Sequence, residues 1–320
     1  MMIHFTRHPE VPITLFHSDS AGTNQLMQSC LRKIALFLLS LLAGTAWAND
    51  HYPDLRESSD PLLQGSLEAT VENLGLMTAV RNNTLSVALV DITDTRQPRV
   101  ASLNGDRMMY AASLPKIAIL LGAFVKIEKG EMALDQATRD RLTSMIRVSS
   151  NSAATEMLRR VGSQDLASIL QSPKFKLYDP LHNGGLWVGK EYAKTRVWKR
   201  DPLHNISHGA TALQTARFFY LLETNRLVNP ELSRTMKDML SRPAIHHKFV
   251  KGLMAEHPDS KIYRKSGSWR QWHADSAIVE RDGRKYIIVA LAENAEGGKW
   301  LTQIAPALDK LIVTDKVAKR

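Results

Sequence analysis

Cysteine is almost absent from this sequence of 320 residues, since Cys30 is its single copy. Residue 30 lies in a segment that we expect to be removed during export. A mature chain without cysteine forms no disulfide and offers neither a thiolate nucleophile nor a Cys-ligated metal site. The histidines show no spacing typical of metal ligands either. We therefore expect chemistry that uses neither a metal nor a cofactor.

The sequence also lacks an apolar segment of the length that a stable membrane anchor needs, which is about 20 residues. The shorter apolar run at 34–43 follows Arg32 and Lys33 and precedes Ala46-Trp47-Ala48, as in an export signal. We expect residues 1–48 to be a leader. Translation would then start at Met27, the alternative being an unusually long leader. The expected location is periplasmic or secreted, with no stable membrane anchor after cleavage.

The chain has an excess of positive charge, with a formal net charge of +10. Such a charge suits an anionic environment such as a cell-wall polymer, a membrane surface or nucleic acid, although it also simply keeps a protein soluble. The sequence shows no basic patch interleaved with aromatic residues and no nucleic-acid-binding motif. We therefore expect no nucleic-acid partner. We also expect a monomer.

Hydrophobic patterning predicts strands near both ends of the chain and helices between them. We expect the two ends to form one antiparallel sheet flanked by helices, with a separate all-helical lobe, in an α/β (α+β) fold. The expected domain covers 49–320, with the α/β lobe at 55–118 and 245–320 and the helical lobe at 119–244. The predicted strands are 85–92, 100–110, 262–269, 274–280 and 286–292.

The motif Ser113-Leu114-Pro115-Lys116 opens a long apolar run that is predicted to be helical from 114 to about 129. A serine and a lysine three residues apart share one helix face, about 5–6 Å apart at Cβ. An amine at that distance can take the hydroxyl proton, and a serine needs such activation to act as a nucleophile. A capped helix with a surface lysine is the alternative. However, a charge inside so apolar a run is costly unless it is paired.

Two weaker motifs follow in order. Ser149-Ser150-Asn151 is an S-x-N match, although helix capping also explains it and Ser102-Leu103-Asn104 matches as well. Lys265-Ser266-Gly267 opens a predicted strand and could by itself be a strand-end turn. The three motifs together, each in the expected element, favour a catalytic site.

This order of motifs resembles the penicillin-recognising serine hydrolases, namely the class A β-lactamases and the DD-peptidases, and above all the shorter β-lactamase-related secreted hydrolases. The resemblance covers the whole expected mature chain. It implies a class A β-lactamase or DD-peptidase fold, with the active site between an α/β lobe and an all-helical lobe.

The resemblance also implies roles. Ser113 would be the nucleophile, Lys116 its base, Lys265 a second cation that attracts a substrate carboxylate, and Ser149 a proton donor to the leaving nitrogen. The remaining roles are substrate binding by Asn151 and Ser266, and an oxyanion hole made by the backbone N–H groups of Ser113 and Ser268, with Gly267 beside them.

The chain departs from the class A pattern because no E-x-x-L-N occurs between Ser149 and Lys265. In class A enzymes that glutamate activates the water that frees the acyl group. Glu191 is the candidate replacement here, the alternative being a solvated loop charge. Arg270 and His273 could add positive charge to the carboxylate site, or could simply mark a surface strand end.

We therefore expect hydrolysis of β-lactam amides through an acyl-enzyme at Ser113. One alternative is a D-Ala-D-Ala carboxypeptidase, or a related cell-wall amide or ester hydrolase, acting on peptidoglycan peptides. Another is a penicillin-binding or sensor protein that is acylated once and does not turn over.

Overall fold

The computed structural model describes residues 52–314. The predicted leader and Cys30 lie outside them. Within the described residues, no helix is both long and apolar enough to span a membrane. The α-helices are α1 Pro61–Asn73, α2 Met77–Arg81, α3 Lys116–Glu128, α4 Gln136–Arg147, α5 Asn151–Val161, α6 Ser163–Gln171, α7 Ala212–Glu223, α8 Pro230–Leu240, α9 Phe249–Glu256 and α10 Gly297–Thr314.

The strands near the two ends of the described region join in one five-stranded antiparallel sheet of order β2-β1-β10-β9-β8, as predicted. Short strands form a three-stranded sheet of order β3-β7-β6 and a two-stranded sheet of β4 and β5. The strands are β1 Leu85–Asp91, β2 Arg99–Leu103, β3 Met109–Tyr110, β4 Tyr178–Asp179, β5 Gly184–Gly185, β6 Trp187–Val188, β7 His208–Ala210, β8 Lys261–Trp269, β9 Trp272–Arg281 and β10 Arg284–Glu293.

The main sheet has an apolar core on each face, because successive side chains of a strand point to opposite sides. In β1, Val87 and Leu89 belong to the core formed with α1, α2, α9 and α10. Ala88 and Val90 belong to the other core, together with α3 to α8. Both faces are therefore covered by helices. The predicted lobe boundaries at 118/119 and 244/245 stay a prediction.

Helix α3 runs through the centre of the second core. Its residues from Lys116 to Val125 are all buried, as expected for a helix that is apolar on every side. Lys116 is the charged exception at its first position. The fold thus places a lysine where water cannot solvate it.

The predicted strand at 100–110 is wrong as a single element. β2 ends at Leu103 because Asn104 adopts a left-handed conformation with φ of 51° and starts a turn closed by a bond from Arg107 N to Asn104 O. The chain then leaves the main sheet, and Met109 and Tyr110 pair with β7 instead. This departure carries the chain towards Ser113.

Candidate active site

Ser113 lies in the tight turn that leads into α3, and Lys116 is the first residue of that helix. The amide of Lys116 donates to the carbonyl oxygen of Ser113 at 3.3 Å, an i to i+3 bond. Side chains three residues apart lie over one another in such a turn. Ala112, just before it, has a φ of 50°, a strained conformation that residues other than glycine seldom adopt. The turn therefore presents the serine and the lysine on one side.

Lys116 is fully buried, and its hydrogen bonds go to neutral oxygens. Its Nζ donates to the carbonyl oxygen of Ser149 at 2.6 Å and to Asn151 Oδ1 at 2.8 Å, and approaches Ser149 Oγ at 3.4 Å. Burial lowers the pKa of Lys116 to about 7. With such a pKa, the amine of Lys116 is uncharged in about half of the molecules at pH 7. An uncharged amine can accept a hydroxyl proton.

Ser149 joins the first lysine to the second. Lys265 Nζ donates to Ser149 Oγ at 2.9 Å and to the carbonyl oxygen of Ser266 at 2.7 Å. Burial and then the charge of Lys116 hold the pKa of Lys265 well below its usual value. Ser149 has a φ of 59°, and its neighbour Ser150 caps α5 instead. The capping interpretation of this serine cluster therefore applies to Ser150, and the Ser149 hydroxyl bridges two amines.

Strand β8 passes directly against the turn that carries Ser113. A Cβ atom added to Gly267 would lie 2.1 Å from the carbonyl oxygen of Ala111 and 2.7 Å from the backbone nitrogen of Ser113. Only glycine permits so close an approach of two backbones. The glycine of the K-S-G motif thus brings the strand to the serine.

The other predicted binding residues lie around this contact. Ser266 is buried next to Lys265, while Ser268 is exposed on the edge strand. An edge strand leaves alternate backbone groups outside the sheet ladder, where a substrate can reach them. Asn151 is the first residue of α5 and is tied to Lys116 through its Oδ1. The structure therefore brings together all three motifs.

Glu191 faces a different partner. Its carboxylate accepts two bonds from the guanidinium of Arg159, at 2.7 and 2.8 Å, and this pairing lowers its pKa. A carboxylate held in this way is a weaker base, which agrees with the solvated-loop interpretation. Its role in deacylation stays a prediction.

Tyr192, which sequence reasoning missed, lies beside the catalytic candidates. Lys116 Nζ lies over its ring, 4.6 Å from the centroid, and its hydroxyl donates to the carbonyl oxygen of Ala112 at 3.2 Å. His208 packs on the tyrosine ring with centroids 4.3 Å apart. Burial lowers the pKa of His208 to about 4, so it is neutral. No short motif marks Tyr192, since its position depends on how the loop folds back.

Lys248 is the second residue that sequence reasoning missed. Its Nζ donates to the carbonyl oxygen of Gly267 at 2.5 Å, to Ser268 Oγ at 2.7 Å and to the carbonyl oxygen of Ala274 at 3.1 Å. Burial lowers its pKa to about 8, so most of it is charged at neutral pH. It is a third buried lysine, and it fixes the strand segment next to Ser113.

Comparison with solved structures supports the fold. A β-lactamase from Sphaerobacter thermophilus matches with a TM-score of 0.59 and 17% identity over 76% of this chain and 95% of its own. The structure of PBP-A matches with a TM-score of 0.59 and 15% identity, over 81% of this chain and 97% of its own. A variant of the last common ancestor of Gram-negative bacterial class A β-lactamases matches with a TM-score of 0.61 and 16% identity, over 75% of this chain and 97% of its own. A search of curated proteins finds no match.

A family model provides the link in sequence. The model of the beta-lactamase enzyme family matches residues 66–139 and 137–312, which include the three motifs and most of the described chain. The motifs, the mixed fold and the site geometry agree with this match. The chain therefore belongs to the beta-lactamase enzyme family.

Proposed function

We propose that the protein is an exported serine hydrolase that β-lactam amides acylate at Ser113 and that hydrolyses them. The observation that carries the proposal is the chain of contacts from Lys116 through Ser149 Oγ to Lys265, next to the turn that Gly267 approaches. This arrangement combines a partly neutral base, a hydroxyl that can carry a proton and a second amine beside the turn that holds Ser113.

In the proposed acylation, Lys116 takes the proton of the Ser113 hydroxyl while Oγ attacks the amide carbonyl carbon. The negative oxygen of the tetrahedral intermediate accepts bonds from the backbone N–H groups of Ser113 and Ser268. Ser149 then donates its proton to the leaving nitrogen and is reprotonated by Lys116. The C–N bond breaks, and an ester on Ser113 and a free amine remain.

A second candidate function follows from the other side of the site, where the ring of Tyr192 covers Lys116 and Arg159 holds Glu191. In this arrangement neither Tyr192 nor Glu191 supplies a free carboxylate that could activate water next to the ester. The acyl-enzyme would then be long-lived, and the protein would act as a penicillin-binding or sensor protein. One neighbour of similar fold is a mutant of PBP-A that was solved as an acyl-enzyme complex with penicillin G.

One experiment separates these functions. The full chain is incubated with a chromogenic cephalosporin, and both hydrolysis and the intact protein mass are followed. Turnover supports β-lactam hydrolysis, and a stable adduct without turnover supports the penicillin-binding function. Release of D-alanine from a D-Ala-D-Ala peptide without β-lactam turnover would instead identify a carboxypeptidase.

The matched controls are two serine variants. Ser113→Ala should lose the adduct, and Ser168→Ala, an exposed serine on α6, should keep it. An adduct that survives in Ser113→Ala, or no adduct with any β-lactam or wall peptide, contradicts the proposal.

Export is proposed from the sequence of residues 1–48. Expressed from its own start in a Gram-negative host, the protein should appear in the periplasm or the medium with Asn49 as its first residue. Amino-terminal sequencing checks this, and a cytoplasmic chain that starts at Met1 or Met27 contradicts it.

A further inference from the structure

Lys248 is a buried lysine beside the strand that carries the K-S-G motif, and no step of the proposed acylation uses its side chain. Its Nζ donates to the carbonyl oxygen of Gly267 at 2.5 Å, to Ser268 Oγ at 2.7 Å and to the carbonyl oxygen of Ala274 at 3.1 Å. An ammonium has three N–H donors, and all three are used here. Each acceptor is a neutral oxygen. Because a charge buried among neutral groups is costly, this lysine calls for an explanation.

The backbone of Lys248 is strained as well. Its φ and ψ are 52° and −118°, a combination that residues other than glycine seldom adopt. The carboxylate of Asp275 holds the chain in place, because it accepts a bond at 3.1 Å from the amide of Phe249, the next residue. The same carboxylate forms a buried ion pair with Arg264 at 2.7 Å. A costly backbone conformation with this much support indicates that the position of the Lys248 ammonium matters.

The peptide group between Gly267 and Ser268 leads from this ammonium to the proposed oxyanion hole. Two residues connect β8 to β9, so the closing pair of the hairpin, Trp269 and Trp272, exchanges both backbone hydrogen bonds. Such pairs alternate along an antiparallel ladder, and the preceding residue, Ser268, therefore directs its N–H away from β9. Since β8 is the edge strand of the main sheet, this N–H points out of the sheet, where a substrate can reach it.

The Lys248 ammonium and the Ser268 N–H lie at opposite ends of this one peptide group. In a trans peptide the C=O and the N–H point in opposite directions. The Gly267 carbonyl accepts the bond from Lys248, while the N–H of the same peptide points to the position of the oxyanion. A hydrogen bond from a charged donor polarises a peptide group and makes its N–H a stronger donor. The charge of Lys248 thus lies behind the oxyanion donor, on the side away from the substrate.

We infer that Lys248 is a positioning residue of the oxyanion hole, which strengthens the N–H donor of Ser268 through the carbonyl of Gly267. The inference rests on the proposed function. One oxyanion-hole donor contributes about 100-fold to 1000-fold to a rate, and a second bond to its peptide group strengthens it by about 10–30%. Lys248 should therefore contribute about twofold to eightfold to the rate of acylation.

The test replaces Lys248 by methionine, an unbranched apolar side chain of similar length. Lys248→Gln, which is neutral but has a polar end, is the second variant, for the case that the first does not fold. Lys251→Met, at an exposed position of α9, is the matched control. Circular dichroism and thermal melting establish that each variant is folded.

Two readouts are taken at pH 7 with benzylpenicillin. The second-order rate constant of adduct formation at Ser113 should fall by about twofold to eightfold in Lys248→Met and stay unchanged in Lys251→Met. The infrared stretch of the ester carbonyl in the acyl-enzyme, identified by isotope labelling of the β-lactam carbonyl, should move to higher frequency in Lys248→Met only. A weaker donor polarises that carbonyl less, whereas a lysine that only stabilises the fold would leave its frequency unchanged.

An unchanged rate or an unchanged carbonyl frequency in the folded Lys248 variants would overturn the inference, and so would equal changes in Lys251→Met. If no β-lactam acylates the unmodified protein, the proposed function fails by itself, and phenylboronic acid then tests the inference. Its boron bonds to Ser113 Oγ, whose proton passes to Lys116, and one oxygen of the anionic adduct occupies the oxyanion hole. Weaker binding of this acid by Lys248→Met, with unchanged binding by Lys251→Met, supports the inference. Equal binding by all the proteins, or no binding by the unmodified one, refutes it.

Discussion

Acylation of Ser113 should follow the titration of Lys116, because only the uncharged amine can accept the hydroxyl proton. With a pKa of about 7 for Lys116, the uncharged fraction is about a tenth at pH 6, about a half at pH 7 and about nine tenths at pH 8. The acylation rate at pH 6 should therefore be about a tenth of the rate at pH 8. Above pH 8 the increase of the acylation rate with pH should level off.

The assay is the rate of acyl-enzyme formation with one β-lactam between pH 5.5 and 8.5, followed by rapid quenching and intact mass spectrometry. Circular dichroism at each pH shows that the chain remains folded. Lys116→Arg is the control variant, because a guanidinium keeps its proton at every pH of the series. Its acylation should be lost at every pH.

Two results would refute this reasoning. A rate that is constant from pH 5.5 to 8.5 would show that no group of near-neutral pKa limits acylation. A rate that continues to rise tenfold per pH unit up to pH 8.5 would show that Lys116 keeps the ordinary pKa of a solvated lysine. In either case burial would not be the cause of its activation.

The other predictions concern three positions. Gly267→Ala should lower the acylation rate by about 100-fold or more without unfolding the chain, because the added methyl would lie 2.1 Å from Ala111 O. Mass spectrometry checks the rate and thermal melting checks the fold. An unchanged rate contradicts the prediction. Tyr192→Glu should speed deacylation by about 100-fold, since it places a base beside Lys116, whereas Tyr192→Gln should not; equal rates of adduct loss in the two variants argue against a missing base. Lys116→Met should raise the free energy of unfolding at pH 7 by about 2 kcal/mol, because an apolar side chain removes the desolvation cost of the buried amine. Since the folded pKa of Lys116 lies below its unfolded value, stability rises from pH 7 towards pH 10 in the wild type; urea unfolding should show a smaller rise in Lys116→Met, and an equal rise counts against this linkage.

The sequence alone determined the local elements. Asp60 caps α1 through bonds from the amides of Leu62 and Leu63, both at 2.9 Å, as the Asp-Pro pair predicts. The three successive strand-like runs near the end of the chain predict the meander of β8 to β10, with the turn at Asp282 and Gly283. These features depend on residues a few positions apart, so their signals lie within one short window.

The motifs also predicted which residues form the core of the site. Ser113 and Lys116 are neighbours along the chain, while Ser149 and Lys265 joined them only through the resemblance of motif order. Their contacts at 3.4 and 2.9 Å confirm that the three motifs meet. The catalytic roles stay a proposal.

Tertiary structure alone decided what surrounds that core. Tyr192 lies over Lys116, and Lys248 supports the segment next to Ser113. Each contact joins segments that lie far apart in sequence. The pKa of Lys116 likewise depends on the packing of the whole helical core around α3. Sequence patterns reveal which face of an element is apolar. The register of distant strands and the course of a long loop decide which polar side chains lie together in one buried site.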